Sequence, residues 1–174
     1  MTLGVRHLTD ELRHATALAP ATAAEFADAV RPHMAAMTRL AARLGPNGGQ
    51  DDVVQEALVR AWRHRGGFDA RRGTFSAWLM TIVANEAKRA VGRLRLPVRL
   101  EPIGRTATPD DRLDIEQALT RLSARQRLAV DCFYFAGLSL SETAAVMHCS
   151  DGTVKSTLFD ARERLRRELG DRTP

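Results

Sequence analysis

The sequence predicts an all-α protein made of two small helical domains joined by a flexible linker. Ala and Leu are abundant while aromatic residues make up only 5% of the chain and β-branched runs are scarce, which favours helix over strand. Apolar residues recur at helical spacing in two blocks. Between the blocks, from about Leu94 to Pro109, that spacing fails among Pro97, Pro102, Gly104 and Pro109. At 174 residues, 44% of them apolar, the chain has material for two small cores.

Residues 1–20 have weak periodicity and are expected to form an N-terminal tail. Thr22 and Glu25 make a capping box, in which a hydroxyl and a carboxylate satisfy reciprocal backbone donors, so a helix starts there. Its apolar stripe is Phe26, Val30, Met34, Met37, Leu40 and Leu44, and Pro32 should kink or divide it. The run Gly45 to Gly49 ends it. Gln50, Asp51 and Asp52 open the next helix at the positive end of its dipole, with Val53, Val54, Ala57, Leu58, Ala61 and Trp62 inward. After a loop from Gly66 to Gly73, Thr74 can cap a third helix that turns Phe75, Trp78, Leu79, Ile82 and Val83 inward.

Beyond the linker comes a helix through Leu113, Ile115, Leu119 and Leu122. Ser123 and Gln126 form a second capping box, opening a helix to about Ala136 that Gly137 closes. Ser139 and Glu142 form a third, starting a short helix that ends near His148, whose imidazole can cap carbonyls. A turn at Cys149, Ser150 and Asp151 precedes a final helix with Gly170 as its stop. Two domains are therefore expected at 21–96 and 112–170, with the linker at 97–111.

Lys and Arg number 26 against 21 Asp and Glu, a net charge of +5 that suits a polyanionic partner. Charged residues interrupt every apolar stretch near the N-terminus and no apolar run approaches membrane-spanning length, so no membrane insertion and a cytoplasmic location are expected. Two cysteines without Cys-x-x-Cys spacing do not make a disulfide framework.

Two surfaces stand out. The helices on either side of the turn at 149–151 match a helix-turn-helix, whose second helix enters the major groove. Small Ala144 and Ala145 let those helices approach, and Val154, Leu158, Ala161 and Leu165 hold the second one down. Thr153, Lys155, Ser156 and Thr157 then lie at its exposed N-terminal end for base edges, with Arg162, Arg164, Arg166 and Arg167 for phosphates. The alternative is a helical hairpin whose charges are merely solvated, since Asp160, Glu163 and Glu168 interleave with the arginines. On the third helix, Thr81, Asn85, Lys88 and Arg89 fall on one face opposite the apolar stripe, extended by Arg93, Arg95 and Arg99. Arg71 and Arg72 join that face if the loop folds back. A solvated amphipathic helix is the plain alternative.

The segment Asp51-Asp52-Val53-Val54-Gln55-Glu56-Ala57, then Phe75-Ser-Ala-Trp78-Leu79 with Ile82 and Asn85, and finally Gly152-Thr153-Val154-Lys155-Ser156 closely resembles the extracytoplasmic-function sigma factors of the sigma-70 family. The resemblance covers residues 21–170 as region two, a linker and region four. It implies a protein that binds core RNA polymerase, through its beta-prime and beta subunits, and directs initiation at promoter DNA without catalysing a reaction and without a cofactor or metal. Asp51, Asp52, Gln55 and Glu56 would dock on the polymerase clamp. Phe68, Arg71, Arg72, Thr74, Trp78, Thr81, Asn85, Lys88 and Arg89 would melt and read the minus-ten element, with Asn85 and the 68–74 loop capturing a flipped base. Thr153, Lys155, Ser156, Thr157 and Arg162 would read the minus-thirty-five element. The resemblance also implies an anti-sigma protein that holds the two domains in an inactive arrangement. The chain departs from the family at Thr157 and Asp160, where arginine is frequent, and at Ala84 and Lys88.

Two rival readings remain open at this point. A helix-turn-helix regulator acting on operators without polymerase explains residues 110–170 equally well, but not the acidic Asp51 to Glu56 face. An enzyme would have to use Cys132, Cys149 and His148. Cys132 lies in the apolar run Val130 to Phe135 and reads as core, while His148 and Cys149 sit at a helix end.

Overall fold

Every regular element in a computed structural model of the protein is helical, over the described residues 20–94, 115 and 117–170. Residues 1–19 of the expected tail, the linker, Arg95, Arg99 and Leu113 lie outside the described residues.

Thr22 starts α1 (Ala23–Val30) with the full capping box. Thr22 Oγ1 accepts from the Glu25 N–H at 3.2 Å, and the Glu25 carboxylate accepts from the N–H groups of Thr22 and Ala21. Pro32 divides the helix as its missing N–H requires, through a 3-10 turn at Arg31–His33 that leads into α2 (Met34–Leu44). Gly45 ends α2 in extended backbone, and α3 (Gln50–His64) carries Asp51 and Asp52 in its first turn. The loop after α3 is more regular than its composition suggests, forming 3-10 turns at Arg65–Gly67 and Ala70–Arg72 before α4 (Phe75–Leu94). Thr74 Oγ1 accepts from the Ala77 N–H at 3.1 Å, the cap expected of it.

In the second half, a helical segment at 117–120 precedes α5 (Ala124–Val130), capped by Ser123 and Gln126. The expected helix to Ala136 changes pitch: Asp131–Phe135 is a π-helical stretch, with the Ala136 N–H bonded to the Asp131 carbonyl at 2.9 Å. This wider turn sets Asp131 and Cys132 in buried positions. Gly137 then takes φ 71°, a conformation that suits a residue without Cβ. Ser139 and Glu142 cap α6 (Leu140–Met147), and α7 (Asp151–Gly170) follows at once. His148 closes α6 at φ 51°, but its backbone N–H does the capping, toward the carbonyls of Ala144 and Ala145.

Residues Leu119, Leu122, Ala129, Val130, Ala144, Met147, Val154, Leu158 and Ala161 form the core of the second half. The first half packs α2, α3 and α4 around Met37, Leu40, Val53, Ala57, Leu79, Met80 and Val83. The two halves are not separate: Cys132, Ala136, Leu138 and Val146 join the first core across a seam. In consequence α4 is buried on two sides rather than the one its apolar stripe suggests, with Ala77, Met80, Ala84 and Ala87 also inside.

Candidate nucleic-acid interface

The polar face of α3 is the simplest surface. Asp51, Asp52, Gln55 and Glu56 are all exposed, opposite buried Val53, Val54 and Ala57. Val59, 46% exposed, lies on the same face seven residues after Asp52 and gives it an apolar point of contact. Sequence reading passed over Val59, although it falls outside the inward stripe of its helix.

A second surface forms where the 65–74 loop meets α4. Phe68 packs edge-on to Phe75, with ring centroids 5.4 Å apart, and lies 5.7 Å from Trp78, so the loop is anchored from within. Asp69 accepts from the Arg71 backbone and guanidinium at 3.0 and 3.1 Å. These bonds, the side-chain one foremost, hold its carboxyl below the ordinary value. Gly73, at φ 151°, supplies the bend into the cap. Phe68, Arg72, Thr74, Trp78 and Thr81 line a cleft of about 340 Å³, a size at the small end of ligand pockets. The loop therefore does fold back toward α4, bringing Arg72 to the cleft, while Arg71 is tied to Asp69. Ala145 and His148, from the second half, complete the lining. Ala145 thus borders the first half of the molecule, while Ala144 lies in the core shared with α7.

Further along α4, Asn85 is half-buried and Lys88 and Arg89 are exposed. Arg89 forms an ion pair with buried Glu86, which also takes Arg60 from α3, so part of the expected basic face is neutralised at its base. Thr81 donates its hydroxyl to the Ala77 carbonyl at 2.9 Å and keeps its oxygen as an acceptor.

The third surface is α7. Val154, Leu158 and Ala161 are buried and Leu165 packs beside them, as spacing predicts. Lys155, Ser156 and Arg162 are exposed, while Thr153 and Thr157 are half-buried. The hydroxyls of Ser156 and Thr157 donate to the Thr153 carbonyl at 3.0 and 2.7 Å, and Thr153 itself contacts the Ser150 hydroxyl at 2.9 Å. At the centre of this face stands Phe159, 57% exposed, flanked by Lys155, Ser156 and Arg162 at helical spacing. It too was missed; its signal is an aromatic one step out of the Val154–Leu158–Ala161 stripe.

Nothing at Cys132 suits nucleophilic chemistry. Burial pushes its thiol up to about 12, Asp131 adds to the rise, and Lys88 opposes it. Among the described residues no group of three His, Cys, Asp or Glu gathers to hold a metal, and no helix is long and apolar enough to cross a membrane.

Comparison with known proteins matches the chain to two family models, Sigma-70 region 2 over residues 29–96 and Sigma-70 region 4 over residues 112–165. The chain is 37% identical over 153 residues to the ECF RNA polymerase sigma factor SigL of Mycobacterium tuberculosis, covering 79% of this chain and 86% of that protein. It is 34% identical over 160 residues to the RNA polymerase sigma-E factor of Streptomyces avermitilis, covering 85% and 87%. Among solved structures, CnrH in complex with the cytosolic domain of CnrY superposes with a TM-score of 0.66 at 27% identity, covering 94% of this chain and 99% of that one. The sigma factor RpoE of Bartonella quintana, in complex with the anti-sigma factor NepR, gives 0.61 at 28% identity, covering 86% and 99%.

Proposed function

This chain belongs to the extracytoplasmic-function RNA polymerase sigma factors of the sigma-70 family, and we propose how its three surfaces divide the work of promoter-specific initiation. Sigma factors are regulators, not enzymes. The exposed α3 face, with Asp51, Asp52, Gln55, Glu56 and now Val59, docks on the beta-prime clamp of core polymerase. The cleft between the 65–74 loop and α4 receives a base flipped out of the melted minus-ten element. Asn85, Thr81 and Trp78 border the captured strand, while Arg71, Arg72, Lys88 and Arg89 carry the backbone charge. In this division residues 21–96 and 112–170 act as the two promoter-reading units and residues 97–111 as their linker.

On α7, Lys155 and Ser156 read base edges in the minus-thirty-five duplex, Arg162 contacts phosphate, and Thr153 and Thr157 shape the helix end. Phe159 adds an apolar contact suited to a thymine methyl group. Asp160 is exposed beside it and would repel a close phosphate, which steers the duplex toward the Lys155 and Arg162 side. Because a similar sigma factor, RpoE of Bartonella quintana, is found in complex with the anti-sigma factor NepR, an anti-sigma protein is the expected inhibitor of this one as well.

The observation that carries the reading is that one chain presents both the open acidic α3 face and a helix-turn-helix whose second helix has an exposed polar face. A stand-alone operator-binding regulator has no use for the first. Run-off transcription on genomic fragments by purified core polymerase, with and without the protein, tests it: specific transcripts are expected only with the protein. DNA binding with neither core binding nor initiation would point to the stand-alone regulator.

A further inference from the structure

Glu86 is a carboxylate that the packing of its helix does not call for. It lies midway along α4, 2% exposed, in a row of buried small residues formed by Ala84, Ala87 and Ala90. Two cations cover it. Arg60 of α3 donates its Nε–H and Arg89 of α4 a terminal Nη1–H, and both go to the same oxygen, Oε1. A shared acceptor holds the two donor nitrogens no farther apart than two hydrogen-bond lengths, about 6 Å. Each guanidinium engages Glu86 through one nitrogen and keeps the rest of its donors outward. The Arg60 side chain is 42% exposed and that of Arg89 50%.

As a strut between α3 and α4 this arrangement is a poor choice. Taking a carboxylate out of water costs free energy, and replacing a buried ionic triad by apolar side chains of similar size commonly leaves stability unchanged or raised. As a way of aiming cations it is effective. A free arginine gives up rotamer freedom each time it grips an anion, whereas one pinned through a single nitrogen has lost that freedom on folding and presents its remaining N–H groups ready placed. Two guanidiniums over one carboxylate also leave one net positive charge at the surface. Position selects the anion. Arg89 is four residues beyond Asn85, at the border of the face proposed to hold the melted strand, and Arg60 is four beyond Glu56, at the border of the face proposed to dock on polymerase. A strand held by α4 that runs on past α3 brings its backbone phosphates to this spot.

We propose that Arg60, Glu86 and Arg89 form one phosphate-binding site, built across α3 and α4, that clasps a single backbone phosphate of the unpaired promoter strand. Both arginines contact the phosphate, and Glu86 is a positioning residue that contacts only the arginines. The site rests on the sigma-factor reading and extends it, adding a strand contact from the helix otherwise given to polymerase. Glu86 thereby acquires an effect opposite to its charge. An acid beneath a nucleic-acid face ordinarily weakens binding by repelling phosphate, so its removal tightens binding. Here its removal frees the two guanidiniums to move and binding weakens.

The test uses the full-length chain assembled with core polymerase. Its ligand is a fluorescent single strand carrying the non-template minus-ten segment of a promoter found by run-off transcription. Anisotropy gives the affinity for the natural strand and for strands in which one phosphate at a time is an uncharged methylphosphonate. With the wild-type chain, neutralising one particular phosphate should weaken binding roughly tenfold, the loss of its charge-assisted hydrogen bonds, and with Arg60→Gln that same substitution should change nothing. Arg60→Gln combined with Arg89→Gln should bind little worse than either alone, because both lose the same contact, and each should reduce the salt slope by about 0.7. Glu86→Leu should weaken strand binding severalfold with its melting temperature kept or raised, and Glu86→Gln, which still accepts from arginine, should fall between it and wild type. Tighter strand binding by Glu86→Leu, or a methylphosphonate profile that Arg60→Gln leaves unaltered, would overturn the proposal while the sigma-factor reading stands. The methylphosphonate profile decides this even if Glu86→Leu does not fold. Displacement of the strand by inorganic phosphate at matched ionic strength, with no single linkage responding to Arg60→Gln, would make this a site for free phosphate and overturn it too. Failure of every chain to bind core polymerase would overturn the sigma-factor reading and this site with it.

Discussion

α4 and α7 each run for 20 residues and each carries predicted DNA contacts, yet they sit in the molecule very differently. α4 runs through the centre, with Leu79, Met80, Val83, Ala84 and Ala87 buried along its length. α7 lies along the outside and buries only Val154, Leu158 and Ala161. The difference fits what each is proposed to recognise. A base pulled from a melted strand needs a walled pocket, and walls come from packing α4 against a loop and its neighbours. A duplex is read from outside, so its helix needs one clear face and an anchor beneath it. Substitutions on α4 should therefore mix stability with function, and those on the outer face of α7 should touch function alone.

The comparison is sharpest at Met80 and Leu158, whose truncation should be costly on both helices. Met80 is fully buried, and Met80→Ala should lose about 2–5 kcal/mol of unfolding free energy in chemical denaturation, with Leu158→Ala somewhat less. A loss well under ~1 kcal/mol at Met80 would mean that α4 is not the central strut described above. Next in size, Asn85→Ala should weaken open-complex formation by roughly tenfold, or ~1.4 kcal/mol, while leaving duplex binding unchanged, because its proposed role begins after strand separation. Equal loss in permanganate footprinting and in duplex mobility shifts would remove Asn85 from base capture.

Phe159→Ala should be smaller again. We expect about 1 kcal/mol of lost discrimination at one thymine of the minus-thirty-five element, with the melting temperature unmoved. A marked fall in melting temperature would show that Phe159 is packed after all. The smallest effect concerns pH at the seam. Burial works to raise the Glu142 carboxyl, but bonds from Ser76 and from the Ser139 side chain and backbone, with His33 nearby, bring it below its ordinary value of 4.5. A depressed carboxyl contributes stability above its unfolded value, lost as pH falls through the folded one. The melting-temperature difference between wild type and Ser76→Ala should thus be constant above pH 4.5 and shrink below it.

Sequence reading succeeded wherever the determinant is local. Thr22, Ser123 and Ser139 each announce a helix because the cap and its Glu or Gln partner lie three residues apart, and all three boxes form. Pro32 divides its helix and Gly137 takes the left-handed turn for reasons contained in one residue. Nothing near Asp131 marks it in the sequence, because its partner Arg43 stands 88 positions earlier, beyond the reach of any periodicity. The change to π pitch at 131–135 also left no mark in the periodicity, and Asp131 and Cys132 within it meet partners far away in sequence. That Ala145 borders a cleft of the first half was not legible, since spacing says that a face is apolar without saying which surface it meets. Of the site, exposed polar residues were legible by elimination from the apolar stripe. Val59 and Phe159 were not, because apolar residues were assumed to point inward.

Cys132 has no exposed surface and lies in the seam, while Cys149 is half-buried elsewhere. A thiol held near 12 by burial is almost inert to alkylating reagents, and it recovers ordinary reactivity only when water reaches it. The labelling rate at Cys132 is then a clock that counts openings, and its ratio to the Cys149 rate separates a parting of the two halves from general loosening. The chain carries in its own sequence a chemical recorder of how often its two halves part.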